Sequence, residues 1–288
     1  MAESNQPNHI DALNVNVGVL GHVDSGKTSL VKALSTLLST AALDKSKQSR
    51  QRGMTLDLGF SCFFVDMPSH LKEHFPGKTN LQMTLVDCPG HASLIRTIIG
   101  GAQIIDMVLL VVDAVKGWQA QTTECLVLAE LTSPHVVVAL NKADLFEPSE
   151  REARLRAAES KVRERLARTR FANAPVVGIA ACVGGEKVAA LETTEKNETY
   201  NMDLLVQTLK DRLPPPHRSS SGPFYFSVDH CFSLRGRGTI LTGTVLSGSA
   251  SVNDVVEFPA LAMDRKIKSM QMFKRQVPTI RQGDRAGM

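Results

Sequence analysis

A glycine-rich segment of eight residues, Gly21–Thr28, constrains the fold of this chain more than any other feature. It reads GHVDSGKT and fits the pattern G-x-x-x-x-G-K-[ST]. An apolar run precedes it and a helix-length stretch follows it, so we predict a tight turn between a buried strand and a helix. Such a turn can curl around a phosphate, with backbone N–H groups, a lysine ammonium and a threonine hydroxyl facing it; a glycine turn without a ligand is the alternative. The residues predicted to hold phosphate are Gly21, Asp24, Ser25, Gly26, Lys27 and Thr28.

Short apolar runs alternate with helix-length stretches from about residue 14 to residue 213. The predicted buried strands are Asn14–Leu20, Leu81–Asp87, Met107–Asp113, Val136–Asn141 and Pro175–Ala180. The predicted helices are Lys27–Leu38, Ala92–Ala102, Gln121–Leu131, Ser149–Arg168 and Met202–Leu213. Strand–helix–strand units at this spacing predict an α/β domain with a mostly parallel sheet and helices on both faces. In such a sheet the ligand binds at the carboxyl ends of the strands.

The character of the sequence changes after three consecutive prolines, Pro214–Pro216. Neither a helix nor a strand is expected to continue through them. Beyond Gly222, short strand-like runs follow one another without helices, which predicts a partial β-barrel domain. We therefore expect a disordered tail over residues 1–13, the phosphate-binding domain over 14–213, a linker over 214–222, and a β-barrel domain, cut short, over 223–288.

Composition excludes several classes of protein. The balance of apolar and charged residues is that of a folded chain, and a net charge of +4 permits a nucleic-acid partner without arguing for one. The five cysteines have no C-x-x-C spacing and are expected to be reduced thiols. The polar N-terminus carries no signal core, and the most apolar stretch, Met107–Val115, is too short to span a bilayer. We therefore expect a cytoplasmic protein with no membrane partner, and a solvated loop rather than a metal site at His70 and His74.

The tetrapeptide Asn141–Asp144 indicates which nucleotide binds. It reads NKAD, follows a predicted strand and fits the N-K-x-D pattern of guanine-nucleotide proteins, in which Asn141, Lys142 and Asp144 are the pattern residues. The Asp144 carboxylate can accept hydrogen bonds from guanine N1–H and from the exocyclic amine. Adenine lacks that pair of donors and would leave the carboxylate unsatisfied. The sequence therefore predicts GTP and GDP as ligands.

Two further segments predict a magnesium-dependent switch. Asp87–Gly90 supplies D-x-x-G after a strand, so that Asp87 is expected to hold Mg²⁺ through water and the Gly90 N–H to sense the γ-phosphate. Thr28 is expected to ligate Mg²⁺ directly, and Thr55 to do so only when the triphosphate is present. The ordered set of Lys27, Thr55, Asp87 and Asp144 predicts a GTPase.

Taken together, these motifs resemble those of the translational GTPases such as elongation factor Tu. The segments that carry the resemblance are Gly21–Thr28, Arg52–Thr55 and Asp87–His91. The resemblance implies that His91 is the catalytic residue, which orients the attacking water once the ribosome engages. It also implies that Val23 and Met54 screen this histidine from the nucleotide, although the family usually has Ile where this chain has Met54.

A narrower resemblance is to the eukaryotic selenocysteine-specific elongation factors. It is carried by Arg52–Phe63, Thr84–Asp106, Ser227–Ser249 and Lys268–Phe273. It implies binding of selenocysteinyl-tRNA, its delivery to the ribosome at recoded UGA codons, and hydrolysis of GTP there. It also implies that the full-length protein contacts the selenocysteine-insertion mRNA hairpin and the protein that binds it. Since the sequence stops within the second domain's last strands, we expect a chain truncated at its C-terminus.

The same resemblance implies a cationic pocket on the second domain. Asp229, His230 and Arg285 match its positions, and an ordinary barrel-surface pair is the alternative for the last two. A selenol is far more acidic than the serine hydroxyl that the same tRNA first carries, so a cationic pocket attracts only the correct cargo.

One departure concerns the third guanine loop, which the resemblance places at Ala180, Ala181 and Cys182. Relatives often have lysine after the alanines, and a cysteine cannot lay an alkyl stem and a charge over the base. Two other functions stay open: a general aminoacyl-tRNA elongation factor without selenocysteine selectivity, and a GTP-dependent binding module that does not hydrolyse GTP.

Overall fold

The computed structural model describes residues 12–35, 37–38, 59–87, 104–184, 199–219, 221–234, 238–273 and 275–288. The chain divides into two compact units, Met1–Pro215 and Pro216–Met288. The break between them falls inside the segment predicted as a linker.

The first unit is built on a seven-stranded sheet. In chain order the strands are β1 (Ala12–Gly21), β2 (Leu37–Leu38), β3 (Gly59–Asp66), β4 (Asn80–Asp87), β5 (Met107–Asp113), β6 (Val136–Asn141) and β7 (Val176–Gly178). They lie side by side in the order β2-β3-β4-β1-β5-β6-β7. Strands β4, β1, β5, β6 and β7 are parallel, and β3 pairs with β4 in antiparallel register. The carboxyl ends of β1, β4, β5 and β6 therefore meet at one edge, as predicted.

Helices cover both faces of this sheet. They are α1 (Lys27–Leu34), α2 (Ser69–Lys72), α3 (Ala120–Thr132), α4 (Arg151–Leu166) and α5 (Met202–Arg212). Leucines of α1 and α5 pack with one face of the sheet in one apolar cluster, and residues of α3 and α4 pack with the other face in a second cluster. The prediction of a mostly parallel sheet with helices on both faces is confirmed.

Several boundaries differ from those predicted. Strand β1 begins at Ala12, so the expected disordered tail is wrong at Ala12 and Leu13, which are buried and pair with Asn80 and Leu81. Helix α1 ends at Leu34 instead of Leu38, because Ser35 is already extended and caps the helix by donating its N–H to the Val31 carbonyl. The predicted helix Ala92–Ala102 lies outside the described residues.

The antiparallel strand β3 was not predicted. Its residues alternate only weakly between apolar and polar side chains, so the sequence carries no clear strand pattern there. It is nevertheless paired along its full length with β4, from Gly59 opposite Asp87 to Asp66 opposite Asn80. Residues after it were predicted as a loop; here α2 forms, and His70 Nε2 lies 2.9 Å from the Leu213 carbonyl oxygen.

The second unit consists of antiparallel strands. They are β8 (Tyr225–Leu234), β9 (Gly238–Ser247), β10 (Ser249–Ser251), β11 (Val255–Phe258), β12 (Met263–Lys266), β13 (Gln271–Met272), β14 (Arg275–Gln276), β15 (Thr279–Arg281) and β16 (Arg285–Gly287). Five form a sheet in the order β14-β13-β16-β9-β8, while β10 pairs with β15 and β11 with β12. Val245, Ile267, Met270 and Ile280 are buried in this unit. The arrangement is that of a partial β-barrel, as the short strands predicted.

Candidate nucleotide-binding site

The glycine-rich turn joins β1 to α1, as predicted, and its two glycines are required by close approaches of the backbone. Gly26 caps α1 in the left-handed region, with φ of 87°. A Cβ placed there would lie 2.3 Å from Asn141 Nδ2, and one placed at Gly21 would lie 2.3 Å from the Val111 carbonyl oxygen. Real Cβ atoms do not approach that closely, so no side chain fits at either position. The turn is thereby packed directly on the ends of β5 and β6.

Lys27 lies in the first turn of α1 and folds back over the loop. Its ammonium donates to the carbonyl oxygens of Gly21, at 2.9 Å, and His22, at 2.8 Å. The side chain is buried, with a relative exposure of 8%. Its charge is therefore fixed beside the backbone N–H groups at the start of α1, where an anion is favoured.

Asp87 and Thr28 form the part of the site that fits Mg²⁺. Thr28 Oγ1 donates to Asp87 Oδ2 at 3.1 Å, and Asp87 Oδ1 is buried with no hydrogen-bond partner among the described residues. Burial raises the pKa of the Asp87 carboxyl, against the opposing charge of Lys27 and the bond from Thr28. A buried carboxylate oxygen that lacks a partner, next to a hydroxyl oxygen, is the type of donor set that Mg²⁺ prefers. The residues present therefore fit the cation that the sequence predicted.

Asn141 ties the phosphate side of the site to the base side. Its Nδ2 donates to the Ser25 carbonyl oxygen at 3.0 Å, and its Oδ1 accepts the Ala181 N–H at 3.1 Å. Asn141 is buried, with an exposure of 3%, so both bonds are sheltered from water. One amide thus fixes the spacing between the glycine-rich turn and the predicted third guanine loop.

Asp144 lies in a short 3-10 helix, Ala143–Leu145, directly after β6. The Ala143 N–H donates to the Ile179 carbonyl oxygen at 3.0 Å, which anchors this turn to the residue directly after β7. Asp144 Oδ2 accepts the Gly184 N–H at 3.2 Å. The carboxylate is thus oriented by the third loop and stays accessible at the site's outer end, as base reading requires.

The third loop begins with Ala180, which forms an antiparallel bridge with Tyr200. Ala180 and Ala181 are buried, and Cys182 is partly exposed beyond them. The three predicted loop residues therefore lie beside Asn141 and near Asp144. The side chain at 182 is short, so it places no cation over a base.

Two contacts at the site were not predicted. Lys142, with φ of 69°, extends its ammonium to within 2.9 Å of Asp113 Oδ2 at the end of β5. Gln121, in the first turn of α3, accepts the Val23 N–H through Oε1 at 3.1 Å. The sequence signal for the contact of Lys142 with Asp113 was an acidic residue at the end of an apolar strand, next to the strand that carries N-K-x-D. No sequence signal pointed to the contact of Gln121 with Val23.

Four residues predicted for the switch and for catalysis lie outside the described residues. They are Met54, Thr55, Gly90 and His91.

The predicted pocket residues of the second unit lie together on β8 and β16. The Arg285 guanidinium pairs with Asp229 Oδ2 and donates to Thr244 Oγ1 at 3.2 Å. Thr242 Oγ1 donates to Asp229 Oδ1 at 3.2 Å, and His230 Nδ1 lies 3.6 Å from the same oxygen. Arg285 is buried rather than on the surface, and burial lowers its pKa against the opposing charge of Asp229. The cation is therefore already matched by a carboxylate.

Two negative findings apply to the parts of the chain that the structure describes. No helix there has the length and apolarity needed to cross a bilayer. No group of three or more His, Cys, Asp or Glu side chains there is arranged to hold a metal ion.

Comparison with known proteins agrees with this geometry. Residues 13–215 match the family model described as the elongation factor Tu GTP binding domain. The chain is 52% identical over 276 residues to the mouse selenocysteine-specific elongation factor, covering 96% of this chain and 46% of the mouse protein. It is 37% identical, also over 276 residues, to the selenocysteine-specific elongation factor of Methanocaldococcus jannaschii, covering 96% of this chain and 52% of the archaeal protein. The chain therefore spans about half the length of the curated relatives it matches.

A solved structure is also similar. It is translation elongation factor SelB from Methanococcus maripaludis in complex with the GTP analogue GppNHp, with a TM-score of 0.70 and 29% identity over 97% of this chain and 52% of that one. The family model covers most of this chain, including every residue described above for the nucleotide site. The chain belongs to the family of elongation factor Tu-type GTP-binding domains, that is, to the translational GTPases.

Proposed function

We propose that this chain is the GTP-hydrolysing part of a selenocysteine-specific elongation factor. In its GTP form it binds selenocysteinyl-tRNA, delivers it to the ribosome at recoded UGA codons and hydrolyses GTP to GDP there. The observation that carries the GTPase assignment is the convergence of Lys27, Asp87 and Asp144 at the carboxyl edge of one parallel sheet. Similarity to the mouse and archaeal factors supports the choice of cargo.

The residues of the glycine-rich turn bind the phosphates in this proposal. Backbone N–H groups at the start of α1 donate to the phosphate oxygens, and the Lys27 ammonium neutralises the β- and γ-phosphate charge. Asp144 reads the guanine, since its carboxylate can accept from both N1–H and the exocyclic amine. Asn141 holds these two ends at a fixed distance through its bonds to Ser25 and Ala181.

Thr28 and Asp87 would hold Mg²⁺, together with Thr55 when the triphosphate is bound. The bound cation supplies positive charge that offsets the charge developing on the phosphoryl oxygens. The Gly90 N–H senses the γ-phosphate, and its release after hydrolysis lets the switch segment relax. His91 orients the attacking water, so hydrolysis is slow until the ribosome places that side chain.

The second unit supplies the cargo pocket in this proposal. Arg285 and His230 attract the selenolate, which is anionic at neutral pH, and gain little from a neutral serine hydroxyl. Asp229 fixes Arg285 in place and offsets part of its charge. Selectivity then depends on the contacts that His230 and the accessible part of the Arg285 guanidinium make with the selenolate, because Asp229 by itself would repel that anion.

The partners of the whole protein follow from the same proposal. They are selenocysteinyl-tRNA, the ribosome, the selenocysteine-insertion mRNA hairpin and the protein that binds this hairpin. The compartment is the cytoplasm, where translation takes place.

Single-turnover hydrolysis of GTP, with and without ribosomes, separates an enzyme from a binding module. We expect slow hydrolysis by the chain alone, a large stimulation by ribosomes, and loss of that stimulation in His91→Ala with nucleotide affinity unchanged. Tight GTP binding without hydrolysis under either condition contradicts the enzymatic proposal. A general elongation factor is recognised by equal binding of seryl- and selenocysteinyl-tRNA, unaffected by His230→Ala.

A further inference from the structure

Lys142 occupies a particular place among the residues of the nucleotide site. It lies between Asn141, which holds the glycine-rich turn, and the 3-10 helix that carries Asp144. Its Cε is 3.9 Å from the point where a Cβ on Gly26 would lie. The lysine stem therefore runs past the glycine-rich turn, along the space between the phosphate end and the base end of the site.

Asp113 receives the ammonium at the far end of that stem. Its Oδ2 lies 2.9 Å from Lys142 Nζ, and its side chain is 6% exposed against 28% for the lysine. The strand register places Asp113 opposite Asn141, and the Ala114 N–H donates to the Asn141 carbonyl oxygen at 2.9 Å. The two partners are thus attached to neighbouring strand ends, whose spacing is fixed by the sheet.

The Asp113 carboxylate is itself held rigidly. Its Oδ1 accepts the N–H groups of Val115 and Lys116, each at 2.9 Å. Burial alone would raise the pKa of this carboxyl, but the Lys116 N–H and the Lys142 ammonium outweigh it and the pKa is lowered. The group is an anion in a fixed orientation, with one oxygen committed to its own turn and the other to Lys142.

We propose that Asp113 is a positioning residue for guanine nucleotides, acting through Lys142. It holds the lysine stem extended beside the bound nucleoside and offsets the lysine charge there. The inference deepens the proposed function and rests on it. The position of the Lys142 side chain matters more in this chain because the third loop ends in Cys182. Lys142 is therefore the long cationic side chain of the guanine-binding segments Asn141–Asp144 and Ala180–Cys182.

A double-mutant cycle tests this proposal. The variants are Asp113→Asn, Lys142→Met and the double mutant, and the readout is the dissociation constant and dissociation rate of a fluorescent GDP and GTP. An asparagine keeps an oxygen for the Val115 and Lys116 N–H groups while removing the charge. We expect each single variant to weaken GDP about tenfold, the effect of losing one charge-assisted hydrogen bond. The double mutant should be no weaker than Lys142→Met, since Asp113 acts only through the lysine.

A second readout separates positioning from general damage. Because neither residue meets the γ-phosphate in this proposal, GDP and GTP should weaken by the same factor. Glu150→Gln is the matched control, since it removes a carboxylate whose ion pair with Arg154 is solvent-exposed; it should leave both affinities unchanged. Additive effects in the double mutant, or wild-type affinity in Asp113→Asn, overturn the inference.

Measurements on the wild-type protein distinguish failure of the proposed function from failure of the inference about Asp113. If the wild type binds no guanine nucleotide, the proposed function itself fails, and that failure does not depend on the double-mutant cycle. If Asp113→Asn does not fold, the NMR spectrum of the wild type tests the inference instead. An ammonium fixed by a buried carboxylate gives an observable ¹⁵N–¹H signal, and Lys142→Met lacks that signal. Absence of that signal in the GDP-bound wild type also overturns the inference.

Discussion

Asn141 and Ser25 are joined by a hydrogen bond of 3.0 Å from a buried amide to a backbone carbonyl, across 116 residues of sequence. Because the same amide accepts the Ala181 N–H, its loss leaves two buried backbone groups unpaired. We expect Asn141→Ala to lower the free energy of unfolding by about 2 kcal/mol. Denaturant unfolding without nucleotide measures this, and Asn80→Ala, which removes a single exposed bond to Thr79, should cost far less. An equal cost for both variants would contradict the role assigned to Asn141.

Lys27→Ala should abolish binding of GTP and GDP. The ammonium lies over the glycine-rich turn, where the proposed function places the phosphates. Loss of two charge-assisted bonds from the ammonium to phosphate oxygens would correspond to a weakening of at least about a hundredfold. Titration with a fluorescent nucleotide measures it, and Lys32→Ala, an exposed lysine of the same helix, is the matched control. Unchanged affinity in Lys27→Ala would remove the basis for the phosphate site.

Asp144→Asn should change the preferred base. An amide presents a donor where guanine also presents donors, whereas xanthine offers an acceptor there. We expect GTP to bind about a hundredfold more weakly and xanthosine triphosphate to gain affinity. Competition binding with both nucleotides gives the ratio, with Asp211→Asn as an exposed control. If the ratio does not move, the base is read by other residues.

Stability should depend on the pH through Asp113. Its pKa lies below the ordinary value of 3.8 in the folded protein, so its contribution is complete above that value. The contribution is lost as the pH falls from 3.8 through the lower folded pKa, because only then does the native carboxylate take up its proton. The difference in unfolding free energy between wild type and Asp113→Asn should therefore be constant from about pH 5 to pH 8 and shrink below about pH 4. A difference that grows on acidification would contradict the assigned charge state.

Arg285→Met should destabilise the second unit, because it leaves Asp229 partly buried without its cation. We expect a loss of about 2 kcal/mol, less than for a fully buried pair since Asp229 is about a quarter exposed. Arg281→Met is the matched control, as that side chain is exposed on β15. Thermal unfolding followed by circular dichroism compares the two variants. Equal melting temperatures would show that the pair of Arg285 and Asp229 does not stabilise the second unit.

The sequence predicted most of the first unit because its strands are continuous apolar runs and its helices lie between them. The glycine-rich turn and N-K-x-D could be placed at one edge of the sheet, since carboxyl ends of neighbouring parallel strands must meet there. Strand β3 escaped prediction because an antiparallel strand needs no crossover helix, so the alternation of strands and helices does not mark it. The ion pair of Lys142 with Asp113 escaped it because the register of β5 against β6 cannot be read from either strand alone.

The second unit was predicted less completely for a related reason. Short strands separated by turns indicated a barrel, but partners such as β9 and β16 are about 40 residues apart in sequence. Arg285 could be placed beside Asp229 only by resemblance, and its burial could not be predicted because it depends on that long-range pairing.

Protection of the aminoacyl bond is the most direct test of the proposed function. The deacylation rates of selenocysteinyl-tRNA and seryl-tRNA are measured with this chain in GTP and in GDP. We expect the chain in GTP to slow deacylation of selenocysteinyl-tRNA only, and the chain in GDP to slow neither. Equal protection of both tRNAs in GTP, or no protection of either while GTP is bound, would contradict the proposed function.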